Sequence, residues 1–283
     1  MEDLLCHFAR RFPMFAANLL DRDKHKRRNF REETVTDLIM AGLTAFEPCG
    51  VRVDFPADES KTGEDMDWEF VDPQNKVGKC YLRLHIQAKR AIKSSGKKPY
   101  WFSRELDHAV PSGALHGSQH ELLLSNAKTT KGCVPLYMFY HPLDALEPKS
   151  GKLPAVEGVN LVFADQIKGK LSKSRWPVAD KKVEKLRPNF LALPHFLCFG
   201  HGLFVPFSAH EQLSFLSLQD YGFVYPEELA DRLNELRSAQ GAEVQSEIQA
   251  IKEIPESTLR AISLDRSGGE PIEVERPRVI FYR

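Results

Sequence analysis

The sequence predicts an α/β fold in which a mixed sheet is flanked by helices. Three observations lead there. Runs with apolar residues at helical spacing alternate with short runs of period-2 alternation. Between residues 31 and 140 they follow the order helix, three strands, helix, strand. The turn between two of those strands is short enough to close a hairpin.

Residues 2–20 read as helix in two pieces, broken near Pro13, because proline removes a backbone donor and crowds the preceding turn. The polar run "DRDKHKRRN" at 21–29 is expected to be a linker, since nothing in it is cheap to bury. "REETVTDLIMAGLTAF" at 31–46 sets Val35, Leu38, Ile39, Leu43 and Phe46 at amphipathic spacing, and "PCG" at 48–50 ends that helix. "VRVDFPADES" and "EDMDWEFV" read as short strands, with Lys61, Thr62 and Gly63 in the loop between them. "YLRLHIQAK" is the next strand, joined to its predecessor through "DPQNKVG" at 72–78. Then come a helix in "GSQHELLLSNAK", a buried strand in "CVPLYMFYH" and a further strand in "GVNLVFADQI". Beyond residue 166 the pattern is weaker. "LALPHFLCFGHGLFVPF" is bound for a core, "PEELADRLNELRSA" is a helix with acids in its first turn, and "PRVIFYR" is a closing strand. Three segments are therefore expected: an N-terminal helical segment and linker at 1–29, a core at 30–165, and a C-terminal α+β extension packed on that core at 166–283.

Composition sets outer limits. A chain of 283 residues with 42% apolar and 28% charged residues is ordinary for a globular protein with a full core. Zero net charge selects no partner. Five scattered cysteines (Cys6, Cys49, Cys80, Cys133, Cys198), with no C-x-x-C pair, suit a reducing cytosol better than a disulfide framework. No apolar run approaches the ~18 residues of a membrane span, and the first residues lack a signal-peptide layout. A soluble, cytoplasmic protein is expected. Locally the charge is uneven. Residues 168–187 hold eight Lys/Arg against two acids, and residues 220–283 hold thirteen acids against eight Lys/Arg. Such asymmetry occurs in nucleic-acid binders and equally in solvated loops and helices.

The chemistry gathers on two neighbouring strands. In "YLRLHIQAKRA", Leu82, Leu84, Ile86 and Ala88 share one face, and Arg83, His85, Gln87 and Lys89 share the other. In "GEDMDWEF", Asp65, Asp67 and Glu69 share a face opposite Met66, Trp68 and Phe70. The hairpin brings three carboxylates beside a carboxamide and an ammonium. Clustered carboxylates repel one another unless protonated or bound to a hard cation, and Mg²⁺ favours oxygen ligands from one or two carboxylates. A lysine beside that ion suits a phosphate gathering charge.

These motifs resemble the PD-(D/E)xK nuclease superfamily, more narrowly its Mrr-like members with a Q-x-K motif. They are also similar to a bacterial domain family of unassigned function with the run "EETxTD … KTGxDxxW … QAKR … Q…LL…A … PLYxFY". The resemblance covers residues 30–165 and implies a restriction-endonuclease-like αβββαβ core with a mixed sheet. It implies that Asp65 is a direct ligand of Mg²⁺ (or Mn²⁺), that Gln87 is a neutral carbonyl ligand, and that Ala88 lends its backbone C=O. Lys89 would orient the attacking water and steady the scissile phosphate. Gln87 stands where most relatives carry an acid, so a helix glutamate gains weight. The family pattern favours Glu33, whereas the helical wheel favours Glu32 and places Glu33 and Asp37 on the opposite side; both glutamates are kept, with Asp37 as an auxiliary residue. Either glutamate also serves the helix dipole without any further role. Asp67 is an auxiliary ligand or a cross-strand partner of Arg83, with the pairing slightly favoured.

Gln119, one turn before Leu122 and Leu123, either reaches the site or caps its helix. "RAIKSSGKKPYWFSR" offers Arg90, Lys93, Lys97, Lys98 and Trp101 to a nucleic acid, cations for phosphates and rings for bases. The stretch 168–187 is a second candidate surface. A zinc site from His195, Cys198 and His201 is the rival chemistry; it lacks a fourth ligand and sits in apolar surroundings. His116 and His120 are a weaker pair still. The expectation is a Mg²⁺-dependent endonuclease acting on DNA, in restriction or antiviral defence, with other defence proteins or further copies of the chain as partners. The alternatives are a catalytically silent nucleic-acid-binding module that keeps the fold, and an RNA-directed nuclease.

Overall fold

The computed structural model describes residues 4–22, 30–56, 65–103, 106, 119–146, 154–168, 178–198, 225–240, 247–264 and 273–282. Its elements in chain order are α1 (Leu4–Arg22), α2 (Glu32–Thr44), β1 (Val51–Asp54), β2 (Asp65–Val71), β3 (Tyr81–Lys93) and β4 (Trp101–Ser103). Then follow α3 (Gln119–Thr129), β5 (Cys133–Tyr140), β6 (Val159–Phe163), α4 (Ala164–Lys168), α5 (Val183–Leu186) and β7 (Leu191–Ala192). The chain continues with α6 (Pro194–Leu197), α7 (Pro226–Ala239), α8 (Glu256–Ser263) and β8 (Arg278–Tyr282).

The strands form one mixed sheet in the order β1-β8-β2-β3-β5-β6-β7, with β4 paired to the far end of β3. β2 and β3 are the antiparallel hairpin expected from "DPQNKVG", while β5 lies parallel to β3, and β8 lies parallel to β2. The α/β class and the mixed sheet flanked by helices are as the sequence predicts.

The alternation along β3 divides the core. Leu82, Leu84, Ile86 and Ala88 pack on the first face with Val35, Ile39, Met40 and Leu43 of α2, Leu229 and Leu233 of α7, and the apolar stripe of α1. On the second face, Leu123 and Leu124 of α3 meet Tyr137 and Phe139 of β5 and Val183 and Leu186 of α5. Residues from all three segments read from the sequence contribute to the first cluster, from Cys6 to Phe281.

Three expectations change. α1 runs unbroken through Pro13. Ala9, Phe12, Ala16, Ala17 and Leu20 are buried on both sides of the proline, and this packing outweighs one missing hydrogen bond. A Cβ on Gly158 would lie only 1.8 Å from the Pro13 carbonyl oxygen, so close docking of the helix requires glycine there. "PRVIFYR" forms the expected strand, but within the main sheet and not in an extension beside it: β8 is inserted between β1 and β2. Finally, Cys6 of α1 and Cys198 after α6 form a disulfide across 192 residues, contrary to the all-thiol expectation. Cys49, Cys80 and Cys133 are free thiols. Among the described residues no helix is long and apolar enough to cross a membrane. The linker 23–29, the loop holding Lys61, Thr62 and Gly63, and His116 and His201 lie outside the described residues.

Candidate active site

Asp65 opens β2 directly opposite Gln87 of β3, and Gln87 in turn lies beside Tyr137 of β5. Three residues from three adjacent strands thus form one row. The Arg83 N–H donates to Gly132 O, just before β5, so odd-numbered main-chain groups of β3 point towards β5 and even-numbered ones towards β2. The pair Asp65–Gln87 is therefore of the non-hydrogen-bonded kind, in which side chains stand closest. It is also the last pair between β2 and β3.

The same alternation aims the Ala88 carbonyl at the β2 edge, one residue past that last pair. The Ser94 N–H donates to Tyr100 O, which puts β4 along the same edge, where its pairing begins at Ala91. Among the described residues, no strand covers Ala88–Arg90 on that edge. A backbone oxygen thus faces a gap between β2 and β4, next to the Asp65–Gln87 pair.

Lys89 shares the second face with Gln87. Both are buried, Lys89 at 0% and Gln87 at 2% exposure. The Lys89 ammonium donates to Gln119 Oε1 at 3.0 Å, from the first residue of α3. A buried ammonium needs such acceptors, because leaving it without one costs several kcal/mol (~2 or more). Of the two roles considered for Gln119, the structure places it at the site.

α2 approaches from the first face. Arg90, which points to that face, donates from Nη1 to Phe30 O and so fixes the chain entering α2. Arg90 is thereby tied to the start of α2, on the face opposite Gln87 and Lys89. Thr36 bonds the Tyr140 hydroxyl at 3.0 Å, which sets the helix over the ends of β3 and β5. Glu32 and Glu33 are both half-buried. Glu33 Oε2 is buried and has no hydrogen-bond partner among the described residues, which favours Glu33 over Glu32 as the inward-looking acid. Asp37 is exposed. With Glu32 it contributes to raising the pKa of Tyr140, an effect dominated by burial.

The other two carboxylates on the β2 face are occupied. Asp67 accepts from Arg83 at 2.5 Å and pairs with His85 Nδ1 at 2.6 Å, so the pairing with Arg83 slightly favoured from the sequence is formed. Burial alone would push the Asp67 carboxyl up, but the His85 hydrogen bond and the Arg83 charge together hold it below its ordinary range. Glu69 accepts from Thr258 at 2.7 Å, and its carboxyl is pushed up by burial against the pull of that bond and of Arg278. Arg278 also grips Asp54 at 2.7 Å, so a chain of charge pairs crosses β1, β8, β2 and β3 on this face. These two carboxylates thus have partners other than a cation. The Asp65 side chain lies outside the described atoms. Among the described residues, no three His, Cys, Asp or Glu side chains form a metal-binding group.

Several proposed substrate contacts lie further out. Lys97 and Lys98 are exposed at the β3–β4 turn. Lys93 sits 5.4 Å over the Trp101 ring and 3.7 Å from Asp144, and Trp101 packs against the second core cluster. In the basic stretch, Arg187 is buried and donates to Pro154 O, and Lys181 is buried too. Lys182 lies over Tyr100. The described part of that stretch is therefore largely structural. The zinc alternative is overturned: Cys198 is consumed in the disulfide, and His195 Nδ1 bonds Ala192 O at 3.1 Å.

Sequence reasoning passed over Tyr137 as a site residue and weighed His120 only as a weak metal-capable pair with His116. Tyr137 OH and His120 Nδ1 are 3.0 Å apart, with the rings stacked at 5.9 Å. The signal was present: period 2 in "CVPLYMFY" sets one hydroxyl on the strand next to Gln87.

Fold and row together define a mixed-sheet α/β protein in which Asp65 and Gln87 are paired across two strands and Lys89 is buried two residues further along β3. The chain belongs to the family of unknown function DUF6615, whose model matches residues 5–283 and so includes both α1 and β8. No curated protein and no solved structure matches it.

Proposed function

We propose that this protein is a metal-dependent nuclease that hydrolyses DNA phosphodiester bonds. One observation carries the proposal: Asp65 and Gln87 are in register at the mouth of a strand gap, with the buried Lys89 ammonium one step along the same face. Asp65, Gln87, the Ala88 carbonyl and Glu33 would supply an all-oxygen donor set with two negative charges, which fits Mg²⁺ or Mn²⁺. The buried, unbonded Glu33 oxygen is the structural feature that favours this fit.

When bound, the ion would supply Lewis acidity to the phosphate and acidify a coordinated water. The protein's part is positional. The Asp65–Gln87 pair and the Ala88 carbonyl set where the ion sits. Lys89, bonded to the Gln119 amide oxygen, would face the attacking water and the pentavalent phosphate. Lys97 and Lys98 at the β3–β4 turn are placed to meet flanking phosphates. Restriction or defence against phage is the setting that the resemblance to Mrr-like nucleases suggests, and resemblance of fold alone does not determine it.

The covering of Lys89 and Gln87 favours a second reading, a silent nucleic-acid-binding module that keeps the nuclease fold. The deciding experiment incubates purified protein with supercoiled plasmid, linear DNA and RNA in Mg²⁺, Mn²⁺ or EDTA, beside Asp65→Ala and Lys89→Ala. Metal-dependent cutting that both variants abolish supports the nuclease. Equal cutting by both variants removes the site assignment. DNA binding without cutting by the wild type favours the silent module.

A further inference from the structure

We infer that Tyr137 and His120 are positioning residues for Lys89, acting through Gln119. The inference deepens the nuclease proposal and rests on it for what Lys89 does, though not for how Lys89 is held.

Gln119 and His120 are the first two residues of α3. The opening turn is the least secure part of any helix, because its N–H groups lack intrahelical acceptors and the end frays. The Gln119–Lys89 bond is only as firm as the placement of that turn. The next residue supplies the anchor. His120 is buried, bonded from Nδ1 to the Tyr137 hydroxyl at 3.0 Å and stacked on its ring. Tyr137 is fully buried on β5, the strand beside β3, and in register with Gln87. The opening turn of α3 therefore touches two neighbouring strands at two successive residues, gripping Tyr137 with one and Lys89 with the other. Leu123, Leu124 and Ala127 bind the rest of the helix to the same face. An amide is also the suitable acceptor here. A carboxylate at 119 would neutralise the ammonium that a phosphate is to meet, whereas Gln119 orients it without cancelling its charge.

The test measures Lys89 directly. Trace labelling with an amine-reactive reagent, read by mass spectrometry, reports how firmly each lysine is held. Buried Lys181 serves as the internal control, since a general loosening would move both. Tyr137→Phe keeps the ring and removes only the hydroxyl. It should speed Lys89 labelling about fivefold, as expected for one lost hydrogen bond, and leave Lys181 unchanged. In the Gln119→Ala background Tyr137→Phe should add nothing. If the protein cuts DNA, kcat should fall by the same factor with KM unaltered. Unchanged Lys89 labelling, an equal rise at Lys181, or a full additional effect in the Gln119→Ala background would each overturn the inference. His120→Asn provides the same readout should Tyr137→Phe fail to fold. A wild type that cuts no nucleic acid sinks the nuclease proposal, while the labelling still decides how Lys89 is held.

Discussion

Lys89 of β3 and Gln119 of α3 meet at 3.0 Å, a buried ammonium on a neutral amide oxygen. Taking an ammonium out of water carries a desolvation cost that a hydrocarbon side chain does not. Lys89→Met should therefore leave the melting temperature equal or higher, since replacing a buried charge by a packed apolar side chain is often neutral or stabilising. The same variant should show no nuclease activity. Calorimetry beside a plasmid assay checks both; a marked drop in melting temperature would mean that the ammonium is structural.

Asp67 accepts from Arg83 and pairs with His85 on neighbouring β3, and Asp67→Asn would leave the Arg83 guanidinium and the His85 ring poorly matched. A loss of about 2–3 kcal/mol is expected in urea unfolding. The folded carboxyl lies below its usual range, so its contribution is present at neutral pH and disappears as the pH falls through about 4 and lower. Wild type and Asp67→Asn should therefore converge in stability in strong acid.

His141 is fully buried, with Nδ1 on Glu157 O at 3.0 Å, and burial lowers its pKa from 6.5 to about 4. The unfolded chain binds this proton more readily than the fold does. Stability should be complete above about pH 6.5 and decline as the pH falls towards 4, by roughly 3 kcal/mol for this one group. His141→Gln should flatten that limb in a pH series of denaturant melts. An unchanged slope would show that other groups govern it.

The Cys6–Cys198 bond closes a loop of nearly two hundred residues, for which chain entropy gives about 5 kcal/mol as an upper figure. Treatment with a dithiol, or the Cys6→Ser variant, should lower the melting temperature by several degrees. Peptide mapping without reduction should recover the linked pair. Recovery of both cysteines as free thiols from unreduced protein would remove the bond from consideration.

Deleting residues 273–283 takes away β8 and exposes facing edges of β1 and β2. The truncated chain should be insoluble or lack cooperative unfolding. Near-native melting would mean that β1 and β2 can pair without it.

The hairpin that carries the site was readable from the sequence because its information is local. Period 2 fixed the faces of "YLRLHIQAK", and the turn fixed its partner, so Gln87, Lys89 and the cross-strand Asp67–Arg83 pair followed. What escaped was non-local. A strand's pattern states which side faces the core but not which strand lies alongside, so "PRVIFYR" read as a strand without its place between β1 and β2. Pro13 read as a break because its neighbours' burial against β6 and α6 is invisible in a window of a dozen residues. Cys198 read as a buried thiol for the same reason: its partner lies 192 positions away. The His120–Tyr137 contact joins helix to strand across 17 residues, and although Tyr137 falls in the run "PLYxFY", nothing in that run points to a helix residue as its partner.

The placement of β8 has a consequence for how the molecule is made. During synthesis, β1, β2 and β3 leave the ribosome long before Arg278–Tyr282 exist, so the nascent chain carries two unsatisfied strand borders until those residues have been made. Formation of the whole sheet is thereby tied to the emergence of β8, and a copy interrupted before it would lack the strand that separates β1 from β2.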